Sequence, residues 1–533
     1  PRPGPAQRSA PVARSVPLPA AQIVTPTMTP PRDPDRHLRV DHLKADLTGR
    51  SLRGGAVTAI AQAVKLVAQV AAVALLARLL PPNAFGLVAM VAALFALLEL
   101  FKDLGLTAAT IQRPEISHSE VSTLFWINVA FGGAIFVVLY AAAPLVAHFY
   151  GRAELIDVTR VLGAGFLLSG CTAQHVAILR RQMRFGVVSM AEVGAELLGL
   201  AVAVGAALGG AGYWALVAQR LTAVAAMFVA AWLLSPWRPG RPRRAAGIGA
   251  LIGFGGNFTA FNVVNLVARS LDQVLIGWYW GAVTLGLYER AYKLLMAPIN
   301  NINAPLYAVV MPTLSRLADE PERYRRTYLT TLEKLAMVTM PGAALLVATA
   351  DWVVALVFGP GWHGAAPILA WLGVAALFQP AANTVGWLFL SQNRTPEMLR
   401  WGLIGGLVTV VSVVAGLPFG ATGVAACYAV SGLCLRLPIV FWLVGRRGPV
   451  ATRDLYRAIL PSALAAIVVL AVVGALKRLP SLGGVDPALG LAGAALLTGA
   501  LTLGCFFAVP ASRRALHEFR RLPGLMMGQG ARA

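Results

Sequence analysis

The chain has 533 residues, of which 57% are hydrophobic and only 13% charged, and its mean hydropathy is +0.69. That composition excludes an ordinary soluble globular protein and describes a polytopic membrane protein. The net charge of +22 does not point to nucleic acid, because the basic residues fall in short clusters between apolar spans without interleaved aromatics.

Residues 1–49 hold many prolines and several arginines with no apolar periodicity, which predicts a disordered cytoplasmic tail. From Arg50 onward there are about fourteen apolar segments of roughly 20 to 28 residues, each able to cross a hydrocarbon core about 30 Å thick. Lipid offers no partner for an open strand edge, so these segments are expected to be helices. The first two are placed at 52–80 and 86–110, the seventh and eighth at 250–278 and 284–312, and the last two at 456–476 and 487–509. The predicted fold is therefore an all-α polytopic membrane protein of about fourteen transmembrane helices.

Loop charge sets the orientation. Loops assigned to the inside carry Arg180, Arg181 and Arg184, then Arg238, Arg241, Arg243 and Arg244, then Arg323, Arg325 and Arg326, and later Arg446, Arg447, Arg453 and Arg457. Those outside carry little beyond Arg152, Lys477 and Arg478, so both termini are expected in the cytoplasm.

Laying Lys65–Leu87 on Asn265–Leu287 at an offset of 200 brings Leu66, Val67, Ala68, Leu75, Gly86 and Leu87 onto identical residues. The polar stripe Gln62, Lys65, Gln69 coincides with Asn262, Asn265, Arg269. With six spans in the first half, spans 1 and 7 enter in the same direction, which makes this a parallel repeat about an axis along the membrane normal. Two such lobes would enclose a central cavity. The expected division is an N-terminal lobe at 50–236, a C-terminal lobe at 237–447, two extra spans within 448–510 and a basic cytoplasmic tail at 511–533.

No P-loop, HExxH or paired Cys/His spacing occurs, and all four cysteines lie inside apolar segments, so neither direct ATP drive nor a metal or other cofactor is expected. The outer loops are short and offer only Glu154, Asp157 and Asp486, poor material for an extracytoplasmic glycosyl-transfer site. Ionisable groups inside the spans are the informative feature, since each costs ~3 kcal/mol or more at the midplane and must face the interior. Asn262, Asn265, Arg269 and Asp272 recur at steps of three, four and three and so share one helix face. Arg269 and Asp272 either neutralise each other or serve a ligand. Lys65 has no acidic residue within one helical turn, which favours an anionic ligand. Arg290 and Lys293 either face the cavity, pair with Glu289 or snorkel to the interface. Span 2 adds Glu99, Lys102 and Asp103, while Glu192, Glu196, Arg220 and Arg436 read as packing-pair or helix-end charges. The candidate substrate-binding group is Lys65, Arg269, Arg290, Lys293, Gln62, Gln69, Asn262, Asn265 and Asp272.

Several stretches carry a family resemblance: ARLLPPNAFGL (77–87), DLGLTAATIQR (103–113), STLFWIN (122–128), HFYG (148–151), LRRQMRF (179–185), LDQVLIG (271–277), LGLYERAYKLLMAP (285–298) and MPTLSRL (311–317). They resemble the polysaccharide-repeat-unit flippases of the multidrug/oligosaccharidyl-lipid/polysaccharide exporter superfamily, most closely the branch serving O-antigen, colanic-acid-like or exopolysaccharide units. The similarity runs from about Arg50 to about Arg447. It implies a two-lobed helical fold in the bacterial inner membrane and a substrate of undecaprenyl-diphosphate-linked oligosaccharide, flipped from the cytoplasmic to the periplasmic leaflet. A polysaccharide polymerase and chain-length machinery are candidate partners. In the related lipid II flippases a basic residue of the first span and one of the eighth line a cationic cavity, and by motif position these fall on Lys65 and Arg290. A second-span arginine of those relatives falls near Leu98, where this chain departs from them, with Lys102 close by. Two other readings are a cation-coupled exporter of the same superfamily, which favours an acidic residue where this chain has Lys65, and a membrane glycosyltransferase or polymerase.

Overall fold

The computed structural model describes residue 38, positions 62–103 except 63 and 66, 106–242 except 114, 248–479 and 485–508. Among the described residues all regular structure is helical, and ten helices are long and apolar enough to cross a membrane. The chain is thus an all-α, multi-pass membrane protein. The fourteen expected spans are not reached by this count. Span 1 is described only from Gln62, the seventh and eighth spans follow each other within Ile248–Arg316 with a turn at Gly281, and the helical elements from Thr395 to Gly445 follow one another without a loop.

The N-terminal half comprises α1 (Val67–Leu79), α2 (Pro82–Asp103), α3 (Leu106–Gln112), α4 (His118–Tyr150), α5 (Leu155–Arg181), α6 (Phe185–Leu208) and α7 (Trp214–Leu234). Local sequence fixes the ends of α4. Ser117 and Glu120 form a reciprocal capping box, the Glu120 N–H donating to Ser117 Oγ and the Ser117 N–H to Glu120 Oε2. The chain leaving α7 is pinned back on the start of α4: Trp237 Nε1 donates to His118 Nδ1 (3.1 Å) and Trp126 Nε1 to the Gly240 carbonyl (2.9 Å). Leu38 joins the same apolar cluster, buried among Phe125, Ile178 and Trp237, and its carbonyl accepts from Arg181 Nε at 2.9 Å. At this point of the expected tail the chain is held by the lobe. The rest of 1–49 and all of 511–533 lie outside the described residues.

The C-terminal half continues with α8 (Ile248–Arg316), α9 (Pro321–Ala348), α10 (Ala350–Val357), α11 (Ala365–Ser391), α12 (Thr395–Gly416), α13 (Gly420–Ser431), α14 (Leu437–Gly445), α15 (Thr452–Lys477) and α16 (Pro487–Ala508). α8 turns at Gly281, whose φ of 80° and ψ of −176° suit only glycine, so its two arms correspond to spans 7 and 8.

α2 crosses the second arm of α8 backbone to backbone. A β-carbon on Gly86 would lie 1.7 Å from the Ala282 carbonyl oxygen, and one on Gly286 would lie 2.0 Å from that of Pro82. In lipid, where helices associate through packing and not through water exclusion, small residues permit such approach. Pro82 and Ala282, like Gly86 and Gly286, are partners in the 200-residue offset, and each glycine touches the other's mate. That exchange is the signature of a two-fold contact. Further links sit at the same end of the bundle. Trp362 Nε1 donates to the Ala77 carbonyl (2.8 Å), Arg78 donates to that of Leu356 (2.5 Å), and the Phe149 ring stacks on Trp278. The lobes therefore meet at the end that loop charge assigns to the outside.

Candidate functional site

Beyond that closed end the helices part around a cavity of about 760 Å³, within the range that holds small-molecule ligands. Its wall comes from α1, α2, α5, α6, α7 and the second arm of α8. Phe85, Phe95 and Phe166 make much of the apolar surface, and Gln69, Ser169, Gln219 and Tyr292 add neutral polar groups. Six charged residues line it: Glu99, Glu196, Arg220, Glu289, Arg290 and Lys293.

Three of these form a compact triad on α8. Helical spacing of four places Lys293 beside Glu289 on one face, and Lys293 Nζ contacts Glu289 Oε1. Arg290 turns back along the helix so that its Nε donates to Glu289 Oε2 at 2.7 Å and its Nη2 to Oε1 at 3.4 Å. The Arg290 guanidinium lies 4.3 Å from the ring centre of Phe85, so the N-terminal lobe also contacts it. Glu289 is 5% exposed, Arg290 12% and Lys293 54%, and the space that Lys293 meets is the cavity. Two cations at hydrogen-bond distance allow a carboxylate to remain inside the membrane, where an unpaired one would be costly. Arg220 on α7 lines the same cavity.

Of the candidate substrate-binding group, Gln69, Arg290 and Lys293 are brought to the cavity wall. Lys65 lies off that wall. Its Nζ is 3.7 Å from Glu192 Oε2, and the other oxygen of Glu192 accepts from Arg180 Nη2 at 3.2 Å. The missing acid for Lys65 thus comes from a neighbouring helix. Gln62 is exposed and does not line the cavity. Asp272 has another use: its Oδ2 accepts from the Tyr288 hydroxyl at 2.7 Å and its Oδ1 from the Gln273 N–H at 2.8 Å, tying together the two arms of α8. The side chains of Asn262, Asn265, Arg269 and Lys102 lie outside the described residues.

Glu196 and Arg220, set aside in the sequence as packing-pair or helix-end charges, line the cavity, as does Gln219, which the sequence reading did not single out. Their signal was present, since α6 and α7 are otherwise apolar spans. With them included, the described wall carries three carboxylates and three cations, so it is charge-balanced. Among the described residues no group of three or more His, Cys, Asp or Glu side chains is placed to hold a metal ion.

A family profile described as "Polysaccharide biosynthesis protein" matches residues 75–367. The teichuronic acid biosynthesis protein TuaB of Bacillus subtilis (strain 168) is 28% identical over 362 residues, covering 65% of this chain and 71% of the relative. The lipopolysaccharide biosynthesis protein WzxC of Escherichia coli (strain K12) is 25% identical over 385 residues, covering 71% of this chain and 77% of the relative. Among solved structures, the lipid II flippase MurJ in an inward closed conformation superposes with a TM-score of 0.66 at 12% identity, covering 85% of this chain and 98% of that one.

Proposed function

This chain belongs to the polysaccharide biosynthesis protein family, and from that premise we propose that it flips polyprenyl-diphosphate-linked oligosaccharide units across the bacterial inner membrane. It acts as a carrier and not as an enzyme, serving surface polysaccharide assembly. The observation that carries the reading is the Glu289, Arg290 and Lys293 triad on the wall of a 760 Å³ cavity closed at one end. A guanidinium and an ammonium inside a membrane suit the oxygens of a diphosphate, and the neutral polar wall suits sugar hydroxyls.

Transport then proceeds by alternating access, the lobes at 50–236 and 237–447 rocking about the two-fold contact while the cavity changes the side to which it opens. Both termini lie in the cytoplasm, so the substrate enters from the inner leaflet. Lys65, Gln62, Gln69, Asn262, Asn265, Arg269 and Asp272 join Arg290 and Lys293 as the group that meets or orients the headgroup along its path. The substrate lipid is undecaprenyl, with the polymerase and chain-length machinery taking up the product.

A second reading is favoured by one feature: the carboxylates of Glu99, Glu196 and Glu289 on the same wall would suit a small cation exported by the same cycle. Deleting the gene separates the two. The flippase reading expects lipid-linked repeat units to accumulate in the cytoplasmic leaflet while surface polysaccharide is lost. Normal surface polysaccharide with heightened sensitivity to cationic dyes would favour the exporter.

A further inference from the structure

We propose that Glu289 competes with the substrate's diphosphate for Arg290 and Lys293, so that the anion enters the cavity by exchange for a carboxylate and leaves by the reverse exchange. This rests on reading the cavity as the diphosphate site. The geometry supplies a competitor already seated on the same donors. Arg290 gives Nε and Nη2 to the two Glu289 oxygens, and Lys293 gives its ammonium to one of them. The carboxylate is the least exposed of the three, at 5%, and lines the cavity wall beside the two cations. The Phe85 ring, 4.3 Å from the Arg290 guanidinium, is a contact that does not depend on Glu289, which lets the fork keep its orientation when its partner changes.

Charge decides the direction of exchange. One carboxylate facing two cations leaves the triad at a net +1, whereas a diphosphate brings about two negative charges and more acceptor oxygens. The incoming anion is therefore the better partner, and the carboxylate remains close enough to reclaim the donors. A translocation site must bind firmly enough to load and loosely enough to unload. Without Glu289, Arg290 and Lys293, with Arg220 on the same cavity wall, would meet the diphosphate with no competitor in a low-dielectric space, and release would slow. In the empty state the same carboxylate spares the two cations from lying unpaired in the membrane.

The experiment uses full-length protein in nanodiscs, with undecaprenyl diphosphate lacking any sugar as the probe. Glu289→Gln is expected to bind it about tenfold more tightly than wild type and, in proteoliposomes, to transfer lipid-linked oligosaccharide more slowly. Arg290→Ala is expected to lose binding. Because Glu289→Gln leaves two cations without their acid, the comparison is repeated in Lys293→Met, where removing Glu289 takes the triad from net zero to the +1 of wild type and leaves one cation, not two, without an acid. The double variant should bind more tightly than Lys293→Met alone. If wild type binds, Arg290→Ala does not, and removing Glu289 leaves affinity equal or weaker in both backgrounds, exchange is wrong and the diphosphate site stands. If wild type does not bind the probe and Arg290→Ala changes nothing, the cavity reading itself falls, and exchange with it.

Discussion

Gly86 on α2 and Gly286 on α8 sit on the same crossing with their partners exchanged: Gly86 abuts Ala282, and Gly286 abuts Pro82. The atom each would strike is a backbone carbonyl oxygen, which cannot swing aside as a flexible side chain can. Gly86→Ala and Gly286→Ala are each expected to cost about 1–3 kcal/mol through overpacking and to separate the lobes at this end. Thermal unfolding of the purified protein should show losses of similar size, with transport falling in parallel. A harmless Gly286→Ala beside a damaging Gly86→Ala would show that the crossing is not a two-fold contact.

Trp362 makes a second tie between the lobes, and its two contributions can be separated. It is 1% exposed, packs edge-on against Phe85 and at a tilt against Phe358, and donates Nε1–H to the Ala77 carbonyl. Trp362→Phe keeps most of the packing and removes the donor, for an expected loss of about 1 kcal/mol. Trp362→Ala also opens a cavity and should cost about 3–5 kcal/mol. Equal shifts in the unfolding midpoint for both variants would mean that the ring contributes nothing beyond its hydrogen bond.

Much of this was legible in the sequence. Long apolar runs specify membrane helices by length alone, and the 200-residue offset aligned the glycines that touch. Arg290 and Lys293 were found because a dense run of charge in an apolar helix has few explanations. What escaped were partners reached across helices. A search within one turn of Lys65 finds no acid, yet Glu192 on α6 stands 3.7 Å away. Glu196 and Arg220 read as separate helix charges because nothing in a single chain tells which face of α6 meets which face of α7 and α8. Periodicity gives a side chain's face; only packing gives its neighbour.

Lys65 offers the next test, because its pair with Glu192 is long and shared with Arg180. Lys65→Arg is expected to retain transport, Lys65→Ala to impair it and Lys65→Glu to abolish it, with membrane levels of the protein unchanged. The reversed pair, Lys65→Glu with Glu192→Lys, should recover thermal stability but not transport if the ammonium meets the substrate. Full recovery of surface polysaccharide by the swap would reduce Lys65 to a structural cation.

Asp272 and Arg269 pose the same question on α8. Asp272 is held by the Tyr288 hydroxyl at 2.7 Å, so Tyr288→Phe strips a donor from a carboxylate inside the membrane and should cost about 1–3 kcal/mol. Arg269 lies three residues before Asp272, a spacing that lets the two neutralise each other. A purely mutual pair predicts that Arg269→Ala and Asp272→Ala impair transport equally and that the double variant is no worse than either. A headgroup role for Arg269 predicts instead that Arg269→Ala is much the more damaging, with a loss that Asp272→Ala does not share. The second pattern is expected, read as transfer of lipid-linked oligosaccharide in proteoliposomes at matched protein levels. Equal losses not exceeded by the double variant would remove Arg269 from the binding group and leave the α8 triad as the anion site.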